Sequence, residues 1–193
     1  MQQLYPVFLA GLVTIIGWYA TYAYAKRRED RTRRLEIHLK YRQRQIEELY
    51  GPLLSLIEQI FNVWRVRQNI IEASRDSLSS EQTQKVREFF WERYFTPLHS
   101  EIAALLKTKL YLLEGGLLPE SFSHYLEHAT QETCQRRLWD ELQIDTRHVR
   151  GRDWPEEFYQ EVRDTLRLLM QRHQTGVDEL GVGARSRKPL ARA

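Results

Sequence analysis

Two histidines, His124 and His128, have the spacing that most directly suggests chemistry. They are four residues apart in a segment without Gly or Pro and therefore share one face of a helix, with Glu120 and Glu127 nearby. Two imidazoles at this spacing can share a metal, and acidic residues of facing helices could complete its ligands. The segment HYLEH does not match the H-E-x-x-H zinc pattern, and the other histidines are scattered: His38, His99, His148 and His173. We expect surface or hydrogen-bonded histidines, with a metal at His124 and His128 as the alternative.

The remaining chemistry-bearing residues give no catalytic pattern. Cys134 is the only cysteine, so it forms no internal disulfide and is expected to be a buried structural thiol. No G-x-S-x-G, Walker A or G-x-G-x-x-G pattern occurs, and we expect neither an enzyme nor a cofactor. Four tryptophans after the N-terminal segment could line a ligand pocket, although aromatics at helical spacing are more often core: Trp64, Trp91, Trp139 and Trp154.

The net charge of +3 is unevenly distributed along the chain. Residues 1–25 carry no charged side chain, whereas residues 26–44 hold nine basic and three acidic residues. Residues 184–193 add four basic side chains and no acidic one. The 139 residues between carry 16 basic and 23 acidic side chains, a net charge of −7. Because a nucleic-acid-binding domain carries its basic patch on the folded body, this distribution predicts no nucleic-acid partner.

The segment from Leu4 to Ala25 is a run of 22 uncharged residues. As a helix it would extend about 33 Å, close to the roughly 30 Å of a bilayer's hydrocarbon core. Aromatic residues stand at both ends, as in membrane-interface belts: Tyr5 at one end, and Trp18, Tyr19, Tyr22 and Tyr24 at the other. The segment therefore predicts one transmembrane helix.

The residues after this run predict its orientation. Lys26, Arg27 and Arg28 place the following chain in the cytoplasm of a bacterium and the N-terminus outside the inner membrane. Ala23-Tyr24-Ala25 resembles a signal-peptide cleavage site, which is the alternative. The uncharged residues before the run, its length and the basic residues after it favour a retained anchor.

Two groups of residues in this region predict contacts. Ala10, Thr14, Gly17 and Thr21 recur at spacings of four, three and four, and such a face lets two membrane helices approach closely. Basic side chains beside the span would contact anionic lipid, at about 1 kcal/mol each: Lys26, Arg27, Arg28 and Arg31. A solvated helical stalk over residues 26–44 is compatible with this lipid contact.

Hydrophobic periodicity is helical throughout the rest of the chain. The clearest stripe begins at Ile46 and ends at Ile70, and Gly51-Pro52 within it predicts a kink or short break. Ser79 and Gln82 form a capping box, and Thr96-Pro97 predicts an N-cap and a helix restart. Pro119 and Trp154-Pro155 open the last two helices.

These elements predict an all-α fold consisting of a transmembrane helix, a charged helical stalk and an antiparallel four-helix bundle. The expected domains are an anchor (1–25), a basic juxtamembrane stalk (26–44), a cytoplasmic bundle (45–180) and a disordered basic tail (181–193). Gly176 is expected to weaken the last helix.

Three stretches together carry a family resemblance. They are Glu48-Leu49-Tyr50-Gly51-Pro52-Leu53; Phe95-Thr96-Pro97-Leu98 leading to Leu112-Leu113-Glu114; and Pro119 to His128 followed by Trp154-Pro155. In this order they resemble a family of small bacterial proteins of unknown function with an N-terminal membrane helix and a Y-G-P-L turn in a helical domain. The resemblance implies a single-pass protein of the inner membrane and no catalytic residues.

The leading interpretation is a membrane-anchored cytoplasmic module that binds a protein partner. The alternative is a membrane effector of stress response or phage defence that acts as a homo-oligomer. Its motivation is the small-residue face of the membrane segment.

Overall fold

The computed structural model describes residues 4–146, 148–149, 151 and 153–185, and for residues 4–13, 115 and 182–185 it describes the backbone alone. Regular structure in these ranges is entirely helical, which confirms the all-α prediction. The α-helices are α1 (Leu4–Gln45), α2 (Gly51–Ala73), α3 (Ser80–Phe90), α4 (Thr96–Lys109), α5 (Glu120–Leu142) and α6 (Glu156–Arg185). Two π-helical segments join α1 to α2 and α3 to α4: the first π turn (Ile46–Tyr50) and the second π turn (Trp91–Phe95). Short 3-10 turns follow α4, at Leu110–Leu112 and Glu114–Gly116.

Both π turns lie immediately before a proline near the start of the next helix, Pro52 in α2 and Pro97 in α4. Proline has no N–H, and in a regular α-helix its ring clashes with the carbonyl one turn back. The wider π turn accommodates the proline without ending the helix. At the first π turn the Gly51 N–H donates to the Ile46 carbonyl oxygen, and a Cβ on Gly51 would lie 2.7 Å from that oxygen.

The helix therefore continues at two places where the sequence predicted an interruption. A kink or a short break was expected at Gly51-Pro52; the short break is absent, because the first π turn connects α1 and α2 directly. Thr96 is not an N-cap, since it has helical angles (φ −57°, ψ −47°) and follows the second π turn without a gap. The capping box is confirmed: Ser79 Oγ accepts from the Gln82 N–H at 3.2 Å, and Gln82 Oε1 accepts from the Ser79 N–H at 2.8 Å.

The described residues form two units, one made of residues 4–42 and 172–185 and the other of the described residues between 43 and 171. In the first unit, Arg42 Nη1 donates to the Arg172 carbonyl oxygen at 3.1 Å. A Cβ on Gly176 would lie 2.7 Å from the Leu39 side chain, so this glycine allows close packing. The α6 helix continues through Gly176 to Arg185 and includes residues 181–185 of the expected tail, whereas residues 186–193 lie outside the described residues.

The second unit is a bundle of four helical runs: α2, α3–α4, α5 and the first part of α6. For each pair of neighbouring runs, two contacts give the direction: as residue numbers increase along one run, those of the contacting residues in the next run decrease. The contacts are Glu48–Lys109 and Arg67–Phe95; Glu92–Arg136 and His99–His128; and Ser121–Glu161 and His128–Trp154. Successive runs are therefore antiparallel.

The core of this unit is apolar and rich in aromatic rings. Tyr125 of α5 stacks on Phe158 of α6 at a centroid distance of 4.3 Å, and Phe122 meets Phe158 edge-on at 5.0 Å. All three side chains are fully buried. Burial of each stabilises the fold by about 1.5–3 kcal/mol, which fixes α5 against α6 beside the polar residues described below.

The α1 helix (Leu4–Gln45) contains both the predicted membrane span and the predicted stalk. Within the described residues, no helix has both the length and the apolar character needed to cross a membrane. Residues 4–13 of the predicted Leu4–Ala25 span lie outside the described side chains. Residues 26–44 are helical, as predicted for the stalk.

Candidate functional site

A cleft of about 440 Å³ opens on the second unit. Its apolar lining comes from α2, the second π turn and the segment before α6: Ile60, Phe61, Trp64, Trp91, Phe95 and Trp154. Its polar lining comes from α2, α4 and α5: Arg67, His99, His128 and Glu132. Small-molecule sites are typically clefts of about 300–1,000 Å³ with apolar walls and a few polar groups. The cleft has these properties.

His99 forms the most buried part of the polar lining and is 6% exposed. Its Nδ1 lies 2.8 Å from the Tyr125 hydroxyl oxygen, and its ring stacks with the Tyr125 ring at 5.7 Å. Burial, assisted by the nearby His128, lowers the pKa of His99 to about 4. His99 is therefore a neutral imidazole at neutral pH. Burial also raises the pKa of Tyr125, so its hydroxyl stays protonated.

His128 and Glu132 are one helical turn apart on α5 and face His99. The Glu132 carboxylate lies 3.5 Å from His128 Nε2 and 3.8 Å from His99 Nε2. Burial raises the pKa of Glu132, and the nearby His128 and Arg67 oppose that rise. The three side chains form a cluster, called the cleft triad below, in which the carboxylate has a weakened preference for the ionised form.

Two N–H groups of the cleft are buried without a hydrogen-bond acceptor among the described residues. They are Arg67 Nε and Trp154 Nε1. The Arg67 guanidinium lies 5.1 Å above the Phe95 ring, and burial lowers the pKa of this arginine. The Trp154 ring packs edge-on against His128 at 5.8 Å. Both donors belong to side chains that line the cleft.

The structure separates the two histidines that the sequence paired. His128 is 7% exposed and belongs to the cleft triad, whereas His124 lies one turn earlier, away from it. His124 Nδ1 is 3.2 Å from Glu157 of α6, and its Nε2 is 3.6 Å from Glu120. The spacing in the sequence paired His128 with His124 and did not identify His99 as its partner, because His99 lies on a different helix, α4.

The structure also shows where Cys134 and the four tryptophans considered in the sequence analysis lie. Cys134 was expected to be buried and is exposed, because it lies on a solvent-facing side of α5. Of the tryptophans, Trp64, Trp91 and Trp154 line the cleft. Trp139 lines a more polar neighbouring groove of about 510 Å³, which shares Trp91 and Glu132 with the cleft.

The residues predicted to contact lipid or a second membrane helix lie on α1. Thr14, Gly17 and Thr21 are exposed, and the Thr21 hydroxyl donates to the Gly17 carbonyl oxygen at 2.8 Å; Ala10 lies outside the described side chains. The predicted lipid contacts are also exposed: Lys26, Arg27, Arg28 and Arg31. Both assignments stay predictions.

A second carboxylate-centred cluster lies on the surface of the same unit and is called the Glu48 cluster below. Arg44 Nε donates to Glu48 at 2.9 Å, and Lys109 Nζ donates to Glu48 at 2.7 Å. Arg44 also donates to the Tyr111 hydroxyl at 2.8 Å. Hydrogen bonds from Arg44 and Lys109 lower the pKa of Glu48 to about 2.

Sequence reasoning missed His99, Glu132 and Arg67 as members of one site. The spacing of four between His128 and Glu132 was a usable signal, since it places an imidazole and a carboxylate on one helical face. The contribution of α4 and α2 depends on how the runs align, and the sequence does not give that alignment. No family model, no curated protein and no solved structure matches this chain.

Proposed function

We propose that the bundle is a binding module for a planar organic anion, and that the cleft is its binding site. The observation that carries this proposal is the pair of buried donors, Arg67 Nε and Trp154 Nε1, which have no acceptor among the described residues. Folded proteins pair most buried polar groups, and an unpaired one costs about 1–3 kcal/mol. An acceptor on a bound ligand would pair with these donors.

The rest of the lining supports a planar and negatively charged ligand. Trp64, which is 50% exposed, and Trp91 offer aromatic surface on which a flat ring can stack. Arg67 is the guanidinium in the cleft, and guanidinium groups bind carboxylates strongly. The raised pKa of Glu132 reduces the negative charge that would repel such a ligand.

The lining favours binding over covalent catalysis. No serine, threonine, cysteine or lysine is among the described residues that line the cleft. Nucleophilic catalysis uses one of these side chains in most enzymes. We therefore propose that the protein senses or carries its ligand and forms no covalent intermediate with it on a serine, threonine, cysteine or lysine of the cleft.

The test is isothermal titration calorimetry of the full chain in mild detergent with 2-naphthoate, a planar carboxylate. We expect saturable binding that R67Q and W154F each weaken about tenfold, which corresponds to roughly 1.4 kcal/mol for a lost hydrogen bond. The matched controls are R93Q and W139F, which change exposed residues outside the cleft. The neutral 2-naphthamide should bind more weakly than the acid.

Two results would contradict the proposal. One is equal affinity for 2-naphthoate and the non-aromatic cyclohexanecarboxylate, since stacking would then contribute nothing. The other is a loss of affinity in R93Q as large as that in R67Q, because the cleft arginine would then have no special part in binding.

We also propose that the N-terminal segment holds this module at the bacterial inner membrane, with the bundle in the cytoplasm. The support is the 22-residue uncharged run followed by exposed basic residues, and the exposure of Trp18, Tyr19 and Tyr24 at 71%, 68% and 72%. The test is fractionation with a carbonate wash, together with C-terminal fusions. Membrane retention with a fluorescent cytoplasmic fusion is expected; release by carbonate, or an active C-terminal alkaline phosphatase, would contradict this placement.

A membrane-held binding module needs a second component that responds to the bound state, and we propose a protein partner or a second copy of the chain. Phe89, Tyr94 and Ile70 of the bundle are large apolar side chains that remain exposed. Purification from native membranes in mild detergent, with and without 2-naphthoate, should recover a stoichiometric partner or a homo-oligomer. A chain that is monomeric and alone in both conditions would contradict the proposal.

A further inference from the structure

His99, His128 and Glu132 bring three metal-ligating groups together at the polar end of the cleft. One ligand atom of each lies within 4.8 Å of the others. Two imidazoles and one carboxylate are a ligand set used for zinc and for non-haem iron. The two histidines are 6% and 7% exposed, so packing in the core of the bundle holds both imidazoles in place.

The distances in the cleft triad fit a tetrahedral ion. Glu132 Oε2 lies 3.5 Å from His128 Nε2 and 3.8 Å from His99 Nε2. Zinc bonds of about 2.0–2.1 Å place tetrahedral ligand atoms roughly 3.3 Å apart. The two distances from Glu132 would each need to shorten by only a few tenths of an ångström, and the ligand atoms of the two imidazoles lie within 4.8 Å of each other. Both observed distances exceed those of ordinary N–H···O hydrogen bonds, which are about 2.7–3.2 Å.

The surroundings of His99 suit a metal ligand. Histidine ligands usually use one ring nitrogen for the metal and donate the other N–H to a neighbouring acceptor. His99 Nδ1 lies 2.8 Å from the Tyr125 hydroxyl oxygen. In the tautomer that donates to this oxygen, the Nε2 lone pair is free to bind an ion beside Glu132.

We propose that His99, His128 and Glu132 bind one divalent transition-metal ion, with Zn²⁺ as the expected occupant. Imidazole nitrogens favour zinc and its neighbours over Mg²⁺ and Ca²⁺, which prefer oxygen ligands. All three ligands line the cleft, so the remaining coordination position opens into it. A bound organic carboxylate could occupy that position, but the metal site does not depend on it.

The experiment uses the full chain, purified in mild detergent without a polyhistidine tag and treated with a chelator. Co²⁺ replaces Zn²⁺ as a visible label, because its absorption is intense in tetrahedral sites and weak in octahedral ones. Titration with Co²⁺ should give a tetrahedral spectrum that saturates at one equivalent. Stoichiometric Zn²⁺ should abolish the spectrum.

The variants test which residues bind the ion. E132Q and H128Q should each weaken Co²⁺ binding by about 100-fold or more, and Y125F, which acts through His99, by about tenfold. The matched control is H124Q, which changes the histidine one turn away and should leave the affinity within about twofold of wild type. Circular dichroism establishes whether each variant is folded. If H128Q does not fold, E132Q still tests the site, because Glu132 is only half-buried.

Two outcomes would overturn the proposal. The first is a folded wild-type chain that gives no saturable Co²⁺ spectrum and retains no Zn²⁺ after dialysis. The second is unchanged affinity in folded E132Q, or an H124Q effect as large as that of H128Q. The R67Q variant separates this site from the organic-anion site, since it should weaken 2-naphthoate binding while the tetrahedral Co²⁺ spectrum still saturates at one equivalent.

Discussion

Glu132 of the cleft triad and Glu48 of the Glu48 cluster belong to the same bundle, yet their pKa values shift in opposite directions. Burial raises the pKa of Glu132, whereas hydrogen bonds from Arg44 and Lys109 lower the pKa of Glu48 to about 2. Glu48 has two basic partners within 2.9 Å, while the nearest imidazole nitrogen of the triad is 3.5 Å from Glu132. The two carboxylates therefore differ in partners as well as in burial.

The difference separates the Glu48 cluster, whose charged groups pair with one another, from the cleft triad, which we propose to be functional. The Glu48 cluster is satisfied by its own neighbours and needs nothing further. The cleft triad holds a carboxylate and two imidazoles in a poorly solvated place without close mutual hydrogen bonds, which lowers stability in the metal-free protein. Such unfavourable arrangements are concentrated at functional sites, where a ligand relieves them.

The largest expected effect is on the acid stability of the metal-free protein. The folded-state pKa of His99 is about 4, against 6.5 ordinarily. Between these values the unfolded chain binds a proton that the folded chain does not. Stability is thus fully present above pH 6.5 and is lost as pH falls to about 4, by about 3 kcal/mol for this group. The H99Q variant should lose that part of the acid sensitivity, as measured by denaturant unfolding in the presence of a chelator.

Other ionisable groups that face His99 also contribute to the pH dependence of the free energy of unfolding. These are Tyr125, His128 and Glu132 of α5 and Arg67 of α2. Glu132 contributes the opposite slope, because a raised carboxyl pKa gives stability that is lost as pH rises above 4.5. The control is H124Q, which leaves all of these groups in place. If the stability of H99Q falls with decreasing pH in the same way as that of wild type, burial of His99 contributes nothing to acid sensitivity. The cleft triad and the Glu48 cluster would then not differ in this respect.

The next effect concerns the hydrogen bond behind His99. Y125F removes the hydroxyl oxygen that lies 2.8 Å from His99 Nδ1 and leaves a buried imidazole nitrogen unpaired. We expect the free energy of unfolding to fall by about 1–2 kcal/mol at neutral pH. The surface counterpart is E157Q, which changes the carboxylate 3.2 Å from His124 and should lower stability by less than about 0.5 kcal/mol. Equal losses in both variants would show that burial of His99 adds nothing.

The third effect has the opposite sign. E132Q replaces a half-buried carboxyl that resists ionisation by a neutral amide, and should raise the stability of the metal-free protein near pH 7 by about 1 kcal/mol. In thermal unfolding, added Zn²⁺ should stabilise the wild type and leave E132Q unchanged, because a ligand stabilises only the state that binds it. A metal-free E132Q that unfolds more readily than wild type would mean that Glu132 is a structural carboxylate like Glu48.

Much of the fold could be predicted from sequence because its signals are local. The capping box at Ser79 and the apolar period from Ile46 to Ile70 depend only on neighbouring residues. The π turns before Pro52 and Pro97 could not be predicted, because a proline in a helical pattern can be accommodated by a break or by a widened turn, and packing decides between them.

The candidate site was predicted only in part, for a related reason. His128 was chosen for its distance from His124 along the chain, but its partner His99 is 29 residues away and is brought near by antiparallel packing of α4 and α5. The burial that perturbs Glu132 is likewise a property of the assembled bundle. Local spacing identified one residue of the triad and could not supply the others.

The smallest effect is expected at the Glu48 cluster. The lowered pKa of Glu48 gives stability that is present above pH 4.5 and lost as pH falls to about 2. Because the cluster lies at the surface, with the Lys109 and Glu48 side chains 31% and 32% exposed, salt screens it, and E48Q should reduce the melting temperature only slightly at low salt and by less at high salt. K109Q removes only the Lys109–Glu48 pair and keeps the Arg44–Glu48 pair, so it should lower the melting temperature by no more than E48Q does. The double variant should be no less stable than E48Q, because E48Q already removes the Lys109 pair. A loss in E48Q that exceeds that in Y125F and persists at high salt would reverse the comparison, because the surface carboxylate would then stabilise the packing of the first π turn against α4 by more than the His99–Tyr125 hydrogen bond stabilises the fold.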